Sequence, residues 1–318
     1  MSDKRVRLKY KVSDDHLEEL IFQYCREITE LEREGRFDPI TGRDQEIDDM
    51  VLILLQKGRK NVMLLAPAGV GKTALAVGLA QKIVQDEVPE LLKRARLVEL
   101  DLSAMAAGTS TPAEFQERFI PICKGMAERY HDTSRPRFIM FIDEIHMIMP
   151  KVEGSGYSGL SDVMKPYLTV GDMQVIGATT ADEYRWYVQR DEALDRRFQK
   201  IHLRMPNVPE TINILKNVRP SYEKHHGITI PDIVIEKIVF NTEEHMRRRT
   251  QPDKSIISLD AACAHYVKNF GRGGELTLDS AYYMLARETG LHVAVFDDRM
   301  KYAEDVEAPP EDPNSKYG

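Results

Sequence analysis

Cysteine and long apolar runs are both scarce in this sequence of 318 residues. The three cysteines, Cys25, Cys123 and Cys263, lie far apart without the short spacings of a metal site, which is typical of a protein of the reducing cytosol. No apolar run is long enough to span a bilayer. The basic residues at the N-terminus are not followed by the apolar segment that a secretory signal needs. We therefore expect a cytoplasmic protein without a membrane partner.

An excess of positive charge is also missing, because 44 Lys and Arg residues stand against 51 Asp and Glu residues and give a formal net charge of -7. Affinity for nucleic acid rests mostly on the neutralisation of phosphates, so this charge argues against a nucleic-acid partner. The one dense basic cluster, Arg247, Arg248 and Arg249, is interpreted as a solvated helix face or helix end. A content of 42% hydrophobic and 30% charged residues is typical of a globular protein with room for two domains.

Short apolar or alternating segments are separated by helix-compatible sequence between residues 37 and 205. The five segments are NVMLLA, LVELDL, RFIMFID, MQVIGA and KIHLR. Strands that alternate with helices predict a mostly parallel sheet with helices on both faces. We therefore predict an α/β large domain over residues 37–205, built on a parallel five-stranded sheet.

The flanking segments show helical periodicity. The apolar residues of segment 15–34 recur at helical spacing and predict one amphipathic helix within an N-terminal extension, residues 1–36. Residues 206–290 contain four helical stretches without a convincing strand pattern, which predicts a small all-helical domain. The remaining residues, 291–318, are predicted to form a C-terminal extension whose polar, proline-rich end is disordered.

The segment APAGVGKT, residues 66–73, lies between an apolar segment and a helical stretch. In that position glycines let backbone N–H groups converge on phosphate oxygens at a helix N-terminus. Lys72 would reach the β- and γ-phosphates, and the hydroxyl of Thr73 would bind Mg²⁺. The strict pattern begins with glycine where this chain has Ala66, which alanine tolerates at negative φ. We therefore predict ATP and Mg²⁺ as cofactors, with the nucleotide bound by Pro67, Ala68, Gly69, Val70, Gly71, Lys72, Thr73 and Ala74.

The segment RFIMFIDE, residues 137–144, is predicted to be the second catalytic element, because it ends in the adjacent carboxylates Asp143 and Glu144. Two carboxylates at the end of a buried strand are costly unless a cation lies near them. Asp143 is predicted to hold Mg²⁺, and Glu144 to orient or deprotonate the attacking water. A solvated acidic turn is the alternative, which a phosphate loop about seventy residues upstream disfavours.

Several further segments carry a family resemblance. They are GRDQEI (42–47), PAGVGKTALAVGLAQKIV (67–84), FIDEIH (141–146), IGATTADEYRWYVQRDEALDRRFQ (176–199), YEKHHGI (222–228) and PDKSI (252–256). These segments resemble the first ATPase domain of the ClpA/ClpB unfoldases, and the resemblance covers residues 37–290. It implies a P-loop AAA+ domain followed by a small helical domain. It also implies that the strand MQVIGATT lies between the P-loop strand and the Asp143 strand.

The resemblance implies roles for residues outside the phosphate loop. Thr180 matches sensor 1, which senses the γ-phosphate and helps to place the water. Arg196 and Arg197 match the arginine-finger pair, which acts on ATP in the neighbouring subunit. Salt bridges on a helix end are the alternative interpretation of these two arginines.

Adenine contacts are also implied by the resemblance. Ile40 and Thr41 match the backbone that packs against adenine, and Ile214 is expected on the other side of the base, although a plain core position fits Ile214 equally well. Asp253 falls near the sensor 2 region, where this domain type has no clear sensor 2 arginine.

Two loops depart from the family pattern. The translocating pore loop of the family carries an aromatic residue at the position of Ser110 or Thr111, beside Pro112 in this chain, so a grip on a threaded chain is not expected from the segment 109–113. The following loop contains Tyr157, for which a substitute grip and simple packing on its own subunit are both open.

The resemblance therefore predicts an ATP-hydrolysing AAA+ module that assembles into a homo-oligomeric ring, expected to be a hexamer, and remodels or disassembles a protein partner. No segment matches the adaptor domain, the middle coiled coil or the second ATPase domain of the family. Because the protease-docking loop of such machines resides in that second domain, a role in a proteolytic complex is not expected. The alternative is an ATP-gated switch or scaffold that recruits or activates a partner without threading it. A second ATPase chain stays open as a partner.

Overall fold

The computed structural model describes residues 11–109, 111–149 and 159–297. The chain divides into two compact units, Met1–Arg204 and Met205–Gly318. Across the described ranges, no helix combines the length and the apolar character that crossing a membrane requires.

The first unit is built on a six-stranded sheet in the order β1-β3-β4-β5-β2-β6. The strands are β1 (Cys25–Glu27), β2 (Asn61–Leu65), β3 (Arg96–Leu100), β4 (Phe138–Ile142), β5 (Gln174–Thr179) and β6 (Phe198–His202). The last five pair in parallel, as the sequence predicts, whereas β1 pairs antiparallel with β3. The α/β class is confirmed, and so is the position of the strand MQVIGATT, here β5, between the P-loop strand β2 and the Asp143 strand β4.

The strand β1 corrects two expectations, namely the count of five strands and the single helix over residues 15–34. Helix α1 (Asp14–Tyr24) ends where β1 begins, and α2 (Ile28–Arg33) follows β1. The edge of β3 offers unpaired backbone groups to β1, and the Arg26 guanidinium adds a 2.8 Å hydrogen bond to Glu99. Tertiary pairing here overrides a helical pattern that is only local.

Helices cover both faces of this sheet. They are α3 (Asp44–Leu54), α4 (Lys72–Val84), α5 (Leu102–Ala106), α6 (Pro112–Tyr130), α7 (Leu160–Val170), α8 (Ala181–Glu183) and α9 (Glu192–Asp195). Alternate residues of β4 belong to two separate cores, since Met140 packs in the core that contains α1 and α6, and Phe141 packs in the core that contains α3 and α4. All residues of β2, β4 and β5 are buried, which explains why these three strands are mostly apolar in sequence.

The second unit is helical, which confirms the prediction of a small all-helical domain. Its helices are α10 (Val208–His226), α11 (Asp232–His245), α12 (Asp253–Phe270) and α13 (Leu278–Thr289). Asn207 and Glu210 form a reciprocal capping box that begins α10. Its core includes the fully buried Leu215, Ile235 and Leu259, one from each of the first three helices.

A buried lysine lies directly before β2, at the end of that strand away from the phosphate loop. Lys60 is 3% exposed, donates to the carbonyl of Gly171, and places its ammonium 3.5 Å from the centre of the Tyr130 ring. Burial lowers the pKa of Lys60 to about 8, although Asp172 acts in the opposite direction. The charged form of Lys60 therefore destabilises the folded state relative to the unfolded chain.

The stability of the chain should consequently depend on pH through Lys60. Its pKa is about 8 when folded and near 10.5 when unfolded. Above pH 8 the folded state binds fewer protons than the unfolded state, so stability rises with pH, whereas below pH 8 both states are protonated and Lys60 adds no slope. Between pH 7 and 10 the wild type should gain about 2 kcal/mol relative to Lys60→Met, less than the full pKa difference gives because pH 10 still lies below the pKa of the unfolded lysine.

Urea unfolding of both proteins at four pH values across this range measures the effect. Lys57→Met, which removes an exposed lysine nearby, is the control and should follow the wild type. Parallel curves for Lys60→Met and wild type would contradict the assignment.

Candidate active site

The phosphate loop, residues 66–71, connects the end of β2 to the start of α4. Gly69 and Gly71 have φ values of +78° and +106°, in the left-handed region that L side chains rarely adopt. The N–H of Leu75 bonds the carbonyl of Gly71 at 3.2 Å, so the N–H groups of the first turn have no partner within the helix by geometry. These groups and the helix dipole make the loop suited to phosphate.

Lys72 is the first residue of α4 and is 7% exposed. Its ammonium donates to the carbonyl of Ala66 at 3.1 Å and lies 3.5 Å from the carbonyl of Pro67. The positive charge is thus held against the phosphate loop instead of extending into solvent. This position agrees with its predicted contact to a nucleotide phosphate.

Arg43 is a site residue that the sequence reasoning missed, although it lies within the quoted segment GRDQEI. It is 6% exposed and donates to the carbonyl of Val70 in the phosphate loop at 3.0 Å and to that of Arg204 at 3.1 Å. Glu46 accepts a further bond from the same guanidinium at 2.9 Å. Arg43 therefore holds the phosphate loop through the carbonyl of Val70.

The predicted metal ligands lie next to each other. The hydroxyl of Thr73 donates to Oδ2 of Asp143 at 3.1 Å. They meet because β2, β5 and β4 are parallel neighbours whose carboxyl ends lie at one edge of the sheet. A hydroxyl and a carboxylate oxygen are ligands that Mg²⁺ prefers, so the residues present fit that ion.

Glu144 follows Asp143 in a left-handed backbone conformation, with φ of +48°. Its side chain is 48% exposed, and Oε2 lies 3.3 Å from Nδ1 of His146. Burial raises the pKa of Glu144, and the nearby carboxylates of Glu183 and Asp143 raise it further. A carboxylate with a raised pKa is a stronger base, as deprotonation of water requires.

Thr180 comes directly after β5 and begins α8. Its hydroxyl donates to Oε2 of Glu183 at 2.8 Å and accepts from the N–H of Glu183 at 3.3 Å. The N–H of Ala66 bonds the carbonyl of Thr179 at 3.2 Å, which fixes Thr180 beside the phosphate loop. The predicted sensor, metal ligands, base and phosphate loop are thus brought to one edge of the sheet.

The two predicted finger arginines lie at the opposite end of the strands, where the parallel strands begin. Strands β2 and β6 are parallel, with Phe198 opposite Asn61 and His202 opposite Leu65. Arg196 and Arg197 precede β6, so they are separated from the phosphate loop by the length of the strand, about 16 Å. With Thr169 and Ala193 they line a surface cavity of about 490 Å³, and Arg196 lies 2.8 Å from Glu192. The chain does not bring these arginines to its own phosphate loop.

The predicted adenine contacts divide between the two units. Ile40 lies against α4, where its N–H donates to Gln81 at 3.0 Å and its side chain covers Gly78. Thr41 follows and is half-buried. In the second unit Ile214 is half-buried on α10, and Asp253 is the first residue of α12. Their contact with adenine stays a prediction.

The loop before α6 is held by hydrogen bonds of its own. The hydroxyl of Thr109 donates to the carbonyl of Ala106 at 2.7 Å, and the Arg118 guanidinium donates to the carbonyl of Ala107 at 2.7 Å. The hydroxyl of Thr111 accepts from the N–H of Glu114 at 3.3 Å and caps α6. Ser110 and Tyr157, singled out in the sequence, lie outside the described residues.

His146, Thr179 and Glu183 are further residues that the sequence reasoning did not select. Thr180 and Glu183 have the spacing of a capping box, which is a sequence signal for Glu183. His146 follows β4 and Thr179 ends β5, so their contact leaves no signal within either sequence segment.

Comparison with known proteins places this geometry in context. Residues 62–204 match the AAA family, described as the ATPase family associated with various cellular activities, and residues 207–275 match the AAA lid domain. Chaperone protein ClpB 2 of Synechocystis sp. is 39% identical over 264 residues, which are 82% of this chain and 30% of that protein. Chaperone protein ClpB of Staphylococcus epidermidis is 41% identical over 246 residues, 77% of this chain and 28% of that protein. The chain thus spans about 30% of the length of these curated relatives.

Solved structures show the same likeness. The extended conformation of the S. cerevisiae Hsp104:casein complex superposes with a TM-score of 0.75 at 35% identity and covers 85% of this chain and 45% of that chain. The closed state of Hsp104 with ATPγS and FITC casein gives a TM-score of 0.78 at 34% identity and covers 89% of this chain and 48% of that chain.

Proposed function

Because the chain is an AAA ATPase with a lid domain, homologous to the ClpB and Hsp104 chaperones, we propose that it hydrolyses Mg-ATP at the subunit interfaces of a ring and remodels a protein partner. The homology to ClpB 2 covers 82% of the chain. The family resemblance found in the sequence is thereby confirmed. The ring, which we propose to be a homo-hexamer, and the partner are the parts that go beyond the homology.

The position of Arg196 and Arg197 is the observation that best supports a ring. These arginines precede β6, at the end of the strands away from the phosphate loop, which separates them from the nucleotide of their own subunit and supports a role at the nucleotide of a neighbour. An arginine supplied from another subunit stabilises the charge of the transition state. A lone subunit should then hydrolyse ATP slowly, and assembly becomes part of catalysis.

The remaining steps follow from the residues at the other edge. The N–H groups of the phosphate loop and the ammonium of Lys72 would bind the nucleotide phosphates, and Thr180 would bond the γ-phosphate. Glu144 would take a proton from the attacking water as it approaches the γ-phosphorus. Mg²⁺, held by Thr73 and Asp143, would supply charge neutralisation on the β- and γ-phosphates.

A non-native protein chain is the class of partner we propose, because the Hsp104 neighbours were solved with casein. The free thiols Cys25, Cys123 and Cys263 suit the reducing cytoplasm, where we place the protein. A second ATPase chain is a further proposed partner.

The switch or scaffold is the second candidate function, and the loop before α6 favours it. This loop has small polar residues, and Thr109 and Arg118 hold its described part against its own subunit. Such a loop offers little apolar grip on a threaded chain. Release of casein by the ring with ATP, compared with a non-hydrolysable analogue, distinguishes the motor from the switch.

The ring proposal predicts a turnover that depends on protein concentration. The ATPase rate per subunit should rise by about tenfold or more as the ring forms, because each active site needs an arginine of the next subunit. Turnover and light scattering, measured on the same dilution series with and without ATP, check this result. A rate per subunit that is constant across the monomer-to-ring transition would contradict catalysis between subunits.

A further inference from the structure

A continuous series of side-chain contacts joins Thr180 to Glu144. Oε2 of Glu183 accepts from the hydroxyl of Thr180 at 2.8 Å, from the N–H of Thr180 at 3.0 Å and from the hydroxyl of Thr179 at 2.9 Å. A capping box needs only the bonds between Thr180 and Glu183. The hydrogen bond from Thr179 to Glu183 is therefore additional to the bonds that begin α8.

The bond from Thr179 also determines where the proton of His146 lies. A carboxylate only accepts, so the single hydroxyl proton of Thr179 is directed to Glu183. Nδ1 of His146 lies 3.0 Å from the same hydroxyl oxygen, which must then accept, so Nδ1 carries the proton. Thr179 is 0% exposed and His146 is 8% exposed, with its ring stacked at 5.9 Å on Tyr187. Burial and stacking leave the imidazole little freedom to turn.

The Nδ1–H group of His146 lies between two carboxylates. It is 3.3 Å from Oε2 of Glu144 and 3.4 Å from Oε2 of Glu183. Burial alone would raise the pKa of Glu183, but the bonds from Thr180 and Thr179 lower it, so this carboxylate stays ionised as an acceptor. The side chain of Glu144 is 48% exposed and meets the imidazole through Oε2.

We propose that His146, Thr179 and Glu183 are positioning residues that hold the Glu144 carboxylate in a geometry set by the hydrogen bonding of Thr180. When the Thr180 hydroxyl turns to another acceptor, Glu183 loses one of its donors. The Nδ1–H group of His146, almost equally distant from both carboxylates, then interacts more strongly with Glu183 and less with Glu144, and the exposed Glu144 side chain changes its orientation while the imidazole stays in place. The inference rests on the proposed function, in which Thr180 senses the γ-phosphate and Glu144 is the base.

Pairs of variants that remove or keep one donor test this proposal. His146→Ala and Thr179→Val remove the link and should lower kcat by about 10–100-fold, because a misplaced base loses that much rate. His146→Asn keeps an N–H close to the position of Nδ1, and Thr179→Ser keeps the hydroxyl, so both should stay within about threefold of wild type. KM for ATP should change by less than about threefold in all four variants, since none of these residues binds the nucleotide.

A double variant shows whether the two residues act in series. His146→Ala combined with Thr179→Val should be about as slow as either single variant, whereas independent structural damage would multiply the two effects. Equal losses for Thr179→Ser and Thr179→Val, or multiplied effects in the double variant, would overturn the proposal. Thermal unfolding identifies variants that do not fold. If His146→Ala is one of them, the comparison of Thr179→Ser with Thr179→Val tests the proposal by itself.

Two controls separate this inference from the proposed function. Asp182→Asn removes a carboxylate of α8 that is not part of the proposed series of contacts. Asp182 is exposed and pairs only with Arg185 among the contacts of the described chain, so turnover should stay at the wild-type rate. Wild type and Glu144→Gln establish whether hydrolysis depends on Glu144. If it does, and the Thr179 variants are all normal, only the positioning proposal fails.

Discussion

Glu144→Gln should bind Mg-ATP with the affinity of the wild type and turn it over at least about 100-fold more slowly. Glutamine matches glutamate in size but cannot accept the proton of the attacking water. The phosphate loop, Lys72 and the oxygen pair of Thr73 and Asp143 are separate side chains, so nucleotide binding should persist. Single-turnover hydrolysis and equilibrium binding of a fluorescent ATP analogue measure the two quantities.

Glu90→Gln is the matched control for this change, because Glu90 is exposed in the loop before β3, away from the carboxyl end of β4. It should be indistinguishable from wild type in both measurements. Normal turnover by Glu144→Gln would remove Glu144 from the base role, and loss of binding would mean that the substitution disturbs the phosphate loop.

Strands β2, β4 and β5 could be predicted because all their residues are buried and form short, mostly apolar segments between polar turns, and β3 and β6 keep part of that pattern. The strand β1 could not, because its three residues continue the helical spacing of α1, and only the exposed edge of β3 makes them extended. Edge pairing is a tertiary effect without a local signal.

The candidate site divides in the same way. The phosphate loop and the pair Asp143 and Glu144 could be read from the sequence, since each is a short motif directly after a strand. The contacts of Arg43 and His146 could not, because they join segments that meet only through the order of the strands. That order also gives the position of Arg196 and Arg197 relative to the phosphate loop, which residue spacing alone does not contain.

The largest expected effect belongs to these arginines. Replacing both Arg196 and Arg197 by alanine should lower turnover by about 10³-fold or more in the assembled protein, because loss of a finger supplied by a neighbour has that size in related systems. Nucleotide binding should be kept, since neither side chain lies at the edge of the sheet that carries the phosphate loop. Arg36→Ala, which removes an exposed arginine of the same unit, should have wild-type turnover.

Mixing two inactive variants shows whether the arginines act between subunits. Glu144→Gln subunits keep their arginines, and the double arginine variant keeps its phosphate loop and Glu144. If the arginines serve the neighbour, a mixed ring contains sites with Glu144 from one variant and the arginines from the other. Turnover of the mixture should then exceed that of either variant alone by about 100-fold or more. If the arginines served their own nucleotide, every subunit in the mixture would lack one catalytic group and the mixture would stay inactive, which would contradict the ring mechanism.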